Sequence, residues 1–325
     1  MSWLSRIDPM VRLIVAAIVL ATLLPVTGEG RAVAQGVSNA AVFVLFLLYG
    51  MRLSRAEVWA GLGNHRLLIP LCLWVFGVMG IAGWMAWHAA ASYVPAALAL
   101  GFLYLGVLPS TVQSATVYAS LAGGNVASSV VAAALLNILA VFVSAPLFSL
   151  LAGSHDTVFS GETLVKVMTM LLLPFVLGQG VQRFTREWVD RNRKFIAKLD
   201  RGVIGLGVYV AFSGAVEQHI WSRLDLEVWP VIALACAALL LLAYGGAWLL
   251  GGMLRLSRGD RISLLFAGGQ KSIAMGAPLA TILFPSAVAG TVLLPLLVYH
   301  LAQMVVAAPV AAKLGRSSAP DQSFG

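Results

Sequence analysis

The sequence predicts an all-α polytopic membrane protein: ten transmembrane helices in two inverted five-helix repeats, with the fourth and ninth helices discontinuous. Three observations carry that reading. Of the 325 residues, 60% are apolar and 10% are charged, where a soluble domain carries about 25% charged residues. The apolar residues gather into ten runs of membrane-spanning length. The basic residues alternate between successive connections, as they do when one side of a bilayer retains them.

The runs lie at roughly 10–26, 33–51, 66–87, 94–121, 125–152, 163–182, 202–217, 228–254, 261–283 and 287–312. The first follows Arg6 and Arg12 and has the outline of a signal peptide. No A-x-A-like site follows cleanly and the run reaches Val26, so it counts as the first transmembrane helix. Connections are brief except for 183–201, which separates two sets of five runs. With the N-terminus inside, seventeen of the 21 Lys and Arg residues fall on the cytoplasmic side. Only Arg31, Lys166 and Arg223 fall opposite, and Lys271 is left within the membrane. Both termini are then cytoplasmic. Five is odd, so the second set must run through the membrane opposite to the first, as in the inverted repeats of secondary transporters. By this reading 1–182 holds the first repeat and the start of the second. A basic cytoplasmic loop occupies 183–201, the rest of the second repeat 202–313, and a cytoplasmic tail 314–325.

No soluble domain is left over. The net charge of +8 would suggest nucleic acid in a soluble protein, but here it orients the chain. Cys72 and Cys236 lie inside apolar runs, as small buried side chains and not as a disulfide or metal site. No metal or cofactor is expected, and no G-x-x-x-x-G-K-[ST] loop offers ATP drive. Trp84, Trp87, Trp221 and Trp229 fit an interfacial belt.

The ninth run carries the stretch around which the rest is organised, A-G-G-Q-K-S-I-A at Ala267–Ala274. Lys271 lies ten residues into the run, about 15 Å deep at 1.5 Å per residue. An ammonium there needs a polar cavity or a partner, and Gly268 and Gly269 weaken the helix just before it. The expectation is a helix broken at mid-membrane, with Gln270, Lys271 and Ser272 lining a binding site. The alternative is a continuous helix with a snorkelling or structurally paired lysine. The fourth run has a matching interruption, L-P-S-T-V-Q-S-A-T at Leu108–Thr116. There Pro109 breaks the helix, and Ser110, Thr111, Gln113, Ser114 and Thr116 place polar groups at depth. Paired interruptions in corresponding spans point to a transporter's site. Gln113, Ser114, Gln270 and Ser272 are expected to line one polar cavity.

These stretches, with R-I-D-P at Arg6–Pro9, F-L-L-Y-G-M-R-L-S at Phe46–Ser54 and G-N-V-A-S-S at Gly124–Ser129, resemble the bile acid:sodium symporter family in its bacterial branch. The resemblance covers nearly the whole chain. It implies a bacterial inner-membrane protein with a four-helix panel domain (10–51 and 163–217) and a six-helix core domain (66–152 and 228–312). Solute would bind between them and alternating access would follow from their relative motion. It also implies sodium ligands, and here the chain departs. Ser114-Ala115 stands for a Ser-Asn pair and Ser129 matches a serine of the fifth span. Ala133 stands for a Thr, and Phe266 stands for a Glu four residues before Gln270. A carboxylate is lost and a cation, Lys271, is gained. The sequence therefore reads as a transporter of a small organic, anionic solute, with sodium coupling in doubt. Lys271 would bridge the broken helices through Gln113, Ser114 or freed carbonyls, gaining and losing a proton in the cycle.

Two other residues at depth carry alternatives. His300 either carries protons or bonds a neighbouring helix, and Asn137 either meets a crossing helix or joins helices structurally. A non-transporting membrane regulator is the alternative function. An intramembrane serine hydrolase using Ser114 or Ser272 would need His300 or Lys271 as base. The partners expected are a small solute and the lipid bilayer, with no nucleic acid and the oligomeric state open.

Overall fold

The computed structural model describes residues 9–52, 63–153, 165, 168–217 and 225–316. Among the charges counted above, Arg6, Arg55, Lys166 and Arg223 lie outside these residues. So do Trp221 and the tail beyond Arg316. The described residues are helical, with no strand among them. In chain order the helices are α1 (Pro9–Leu23), α2 (Gly28–Arg52), α3 (His65–Ala90), α4 (Ala96–Val107), α5 (Val112–Leu121) and α6 (Val126–Ala152). They continue as α7 (Leu173–Arg191), α8 (Arg193–Glu217), α9 (Val228–Met253), α10 (Arg258–Gly269), α11 (Ile273–Leu283) and α12 (Ser286–Arg316). Five of them, α2, α3, α6, α9 and α12, are long and apolar enough to cross a membrane. A sixth span results if α4 and α5, bent by 58° at their break, count as one. The chain is thus a multi-pass membrane protein.

Hydrophobic pattern located these helices well, except that 183–201 is not a loop. α7 continues to Arg191 and α8 begins at Arg193, with Asn192 alone between them. The apolar run stops there but the helix does not. Arg, Lys and Glu are good helix formers, and pairs such as Arg191–Glu187 at 3.1 Å support the exposed turns. Widened π-helical turns occur at Met168–Leu172, leading into α7, at Leu73–Val78 in α3 and at Leu242–Gly246 in α9. Such turns occur often at functional sites, and those of α3 and α9 pack beside each other. A Cβ at Gly246 would overlap the Trp74 ring.

Packing sorts the helices. α2 lies against α7 and α8, and α1 lies against α8. The α2–α7 contact is backbone on backbone: a Cβ at Gly50 would overlap the Phe175 carbonyl, and one at Gly178 the Leu47 carbonyl. This is how small residues bring membrane helices together where no hydrophobic driving force separates helix from lipid. α8 then packs on α11 and α12.

Helix ends gather in two places. At one, Arg31 of α2 pairs with Glu217 of α8 and donates to the Ser286 hydroxyl of α12 from Nε (3.0 Å) and Nη2 (2.7 Å). At the other, the Asn125 amide donates to Asp260 at 3.0 Å, Arg258 to the Leu314 carbonyl at 2.7 Å, and Asn64 to Ser128 at 3.2 Å. Arg52 bonds Asp200 at 2.8 Å.

Candidate functional site: the crossing of two broken helices

α4 stops at Val107. Pro109 disfavours helical backbone at the residue before it, and Leu108 is extended at φ −78°, ψ 150°. Thr111 is also extended, and α5 starts at Val112. The second break comes at Gln270, extended at φ −96°, ψ 149°. Ser272 restarts the helix as an N-cap, its hydroxyl accepting from the Met275 amide at 3.2 Å. Gly268 and Gly269 are the last two residues of α10, and the break follows them directly. A Cβ at Gly268 would stand 2.9 Å from Trp74, and one at Gly269 2.7 Å from the Tyr244 ring. The glycines admit the aromatic side chains of the π-turns in α3 and α9.

The breaks meet. The Ser272 amide donates to the Pro109 carbonyl at 2.8 Å. Thr111 donates to the side-chain Oε1 of Gln270 at 2.6 Å, and the Ser114 hydroxyl reaches both that oxygen and Thr111. Lys271 is fully buried, and it faces backbone in place of the expected cavity. Its Nζ donates to the carbonyls of Gly106 (2.7 Å), Leu108 (2.8 Å) and Val75 (3.2 Å). Gly106 and Leu108 end α4, where unpaired carbonyls and the negative end of the helix dipole favour a cation. Val75 belongs to the π-turn of α3. All three ammonium donors are thereby used, so the charge is met without a carboxylate.

α12 holds the second break from behind. Gln303 grips the backbone of Lys271 twice, accepting from its amide at 2.8 Å and donating to its carbonyl at 3.1 Å. Tyr299 donates to the Gly269 carbonyl at 2.7 Å. Tyr104 of α4 donates to the Gly276 carbonyl at 2.5 Å. None of these side chains was singled out from the sequence. A glutamine in an otherwise apolar span was the signal available for Gln303. The tyrosines blend into the apolar pattern.

The other expected residues divide. Gln113 is exposed, Ser114 is half-buried, and Gln270 and Ser272 are buried. One residue after α5 begins, Gln113 turns to the open face with Val112. Asn137 donates to the Ser110 carbonyl at 2.8 Å and so meets the first break. The Ser110 and Thr116 hydroxyls are buried without a partner. Ser129 bonds Ser263 at 2.8 Å, joining α6 to α10. His300 lies 2.8 Å from the Gln303 amide. Phe266 packs between Tyr118, stacked at 5.9 Å, and Tyr244, edge-on at 6.1 Å. The Tyr244 hydroxyl stands beside the Gln270 amide without completing a hydrogen bond to it.

Comparison with known proteins places this geometry. The model of the SBF-like CPA transporter family matches residues 8–316. The chain belongs to that family. Its similar relatives include "Putative symporter YfeH" of Escherichia coli K12, 36% identical over 96% of this chain and 94% of that protein. An uncharacterised protein of Pseudomonas aeruginosa, PA2026, is 35% identical over 93% and 91%. Mouse sodium/bile acid cotransporter 7 is 23% identical over 83% and 80%. Membership in the SBF-like family makes the chain a membrane transporter and not an enzyme.

Proposed function

We propose that this chain is a secondary transporter of a small organic solute. It works by alternating access, with ten spans in two inverted repeats and Lys271 standing where related proteins would hold a coupling cation. The observation that carries the reading is the Lys271 ammonium on the carbonyls that end α4, at the meeting point of two broken helices. Broken helices that meet in the membrane are the usual frame of a transporter site. A cation placed on their carbonyls satisfies the frame from within.

The gathering of helix ends supports the ten-span topology. Arg31, Glu217 and Ser286 belong to connections assigned to one side by the charge count, and they touch one another. Asn64, Asn125, Arg258 and Leu314 belong to connections assigned to the other, and they too form one network. The grouping of α1, α2, α7 and α8 supports a panel, with the remaining helices as core. Sodium coupling is disfavoured on the residues present. A sodium site needs hard oxygen ligands, while the expected carboxylate position holds Phe266 in an aromatic stack, and Ser129 is engaged by Ser263. Two unit charges about 4 Å apart repel by roughly 4 kcal/mol at an effective dielectric of 20, so the ammonium itself opposes a cation here.

One earlier expectation loses its basis. An anionic solute was favoured because Lys271 would face the cavity, and in this conformation the ammonium is enclosed. The exposed polar side chain at the start of α5, Gln113, is neutral, and the Asn137 amide is spent on the Ser110 and Ala133 carbonyls. The test is purified protein in liposomes, screened for uptake against a panel of small organic solutes. Saturable uptake without ionic conductance supports the reading, and conductance without saturable uptake overturns it.

A further inference from the structure

Away from the crossing, a cavity of about 470 Å³ opens where the start of α3 meets the turn between α9 and α10. Its mouth carries His65, Arg66 and Arg255, all exposed. Among the described residues neither arginine joins an ion pair. The acid in the lining, Asp260, is already engaged, by Asn125 and Ser257 at 3.0 Å and by Asn64 at 3.5 Å. The rest of the lining includes an apolar part: Pro70, Leu254 and Leu256.

Arg255 stands in left-handed backbone at φ 50°, the one such non-glycine residue among those described. It ends α9, its amide donating to the Gly252 carbonyl at 3.0 Å. Glycine is the usual occupant of this position, and a larger residue there is strained. The cavity also continues into an apolar surface. α3 and α9 pack together, and both leave large apolar side chains exposed nearby. These are Ile69 and Leu73 on α3, and Leu249 and Met253 on α9.

We infer that this cavity is a binding site for an anionic phospholipid. Its phosphate would lie between the Arg66 and Arg255 guanidinium groups, with its glycerol and upper acyl carbons against Pro70, Leu254 and Leu256. Its chains would run over the exposed faces of α3 and α9. Unpaired arginines recognise phosphate by two-point hydrogen bonding, and basic pockets between membrane helices bind lipid head groups. The apolar part of the lining favours a lipid over a free anion. Because Trp74 and Val75 lie further along α3, a lipid bound here would brace the helix that supplies a carbonyl to Lys271.

The test is thermal unfolding in a neutral detergent, with phosphatidylglycerol, phosphatidylcholine or inorganic phosphate added. It compares the parent, Arg66→Gln/Arg255→Gly and a control, Arg183→Gln, that removes an exposed arginine elsewhere. Arg255→Gly relaxes the backbone, so the double variant is expected to fold. Phosphatidylglycerol is expected to raise the parent and control midpoints by about 3–5 °C beyond phosphatidylcholine, and the double variant is expected to lose that difference. An equal response of the parent to the two lipids, or a difference that persists in the double variant, overturns the site. A full response to inorganic phosphate alone overturns the lipid and assigns a soluble anion.

Discussion

At the scale of residues, the account turns on Lys271 and on what its removal strands. Lys271→Met would leave the Gly106, Leu108 and Val75 carbonyls without their donor in a buried place, and each stranded group costs about 1–3 kcal/mol. We expect a loss of about 3 kcal/mol or more, seen as a lowered unfolding midpoint in detergent. An unchanged midpoint would show that the ammonium bears no structural weight. Gln303→Leu removes both clamps on the Lys271 backbone and should cost about 2–3 kcal/mol by the same reasoning. Gln113 provides the contrast. It is exposed, so Gln113→Leu should change stability by no more than about 0.5 kcal/mol while lowering solute uptake, if it faces the solute. A variant that unfolds easily would place Gln113 in the packing instead.

At the scale of elements, the two breaks were legible in the sequence and their mutual support was not. Proline and a buried lysine announce interruptions through local chemistry, and Pro109 and Lys271 lie within three residues of where the helices stop. What each break bonds to depends on partners far along the chain, such as Gln303 for Lys271, and no periodicity in an all-apolar span fixes those rotations. The glycines show the same limit. Low helix propensity suggested a break at Gly268 and Gly269, and α10 does end at Gly269; the further role of their bareness, admitting Trp74 and Tyr244, was not legible. Gly269→Ala should therefore cost about 1–3 kcal/mol through overpacking, and Tyr244→Leu in the same chain should return part of it. Additive losses from the two changes would mean that the glycine matters for another reason.

At the scale of the whole molecule, composition and charge placement were enough to identify a multi-pass membrane protein. The hidden part was the helical continuation through 183–201, where hydrophobicity ends before the helix does. The Arg31–Glu217–Ser286 contact joins α2 and α8 to the start of α12, and in the panel-and-core reading it fastens one domain to the other at the outer end. Arg31→Ala should loosen that end. With Cys72 and Cys236 replaced, a cysteine at the buried Thr281 should react faster with an impermeant thiol reagent in the Arg31→Ala background. Equal rates would leave the contact without a gating role. The central claim is that the lysine ammonium does at the crossing what a bound cation does elsewhere. The most direct measurement is proteoliposome uptake of a solute found by the screen, with and without an inward sodium gradient, for the parent and for folded Lys271→Ala. The account requires parental uptake that ignores sodium and is lost in Lys271→Ala. Sodium-driven uptake that survives Lys271→Ala would contradict it.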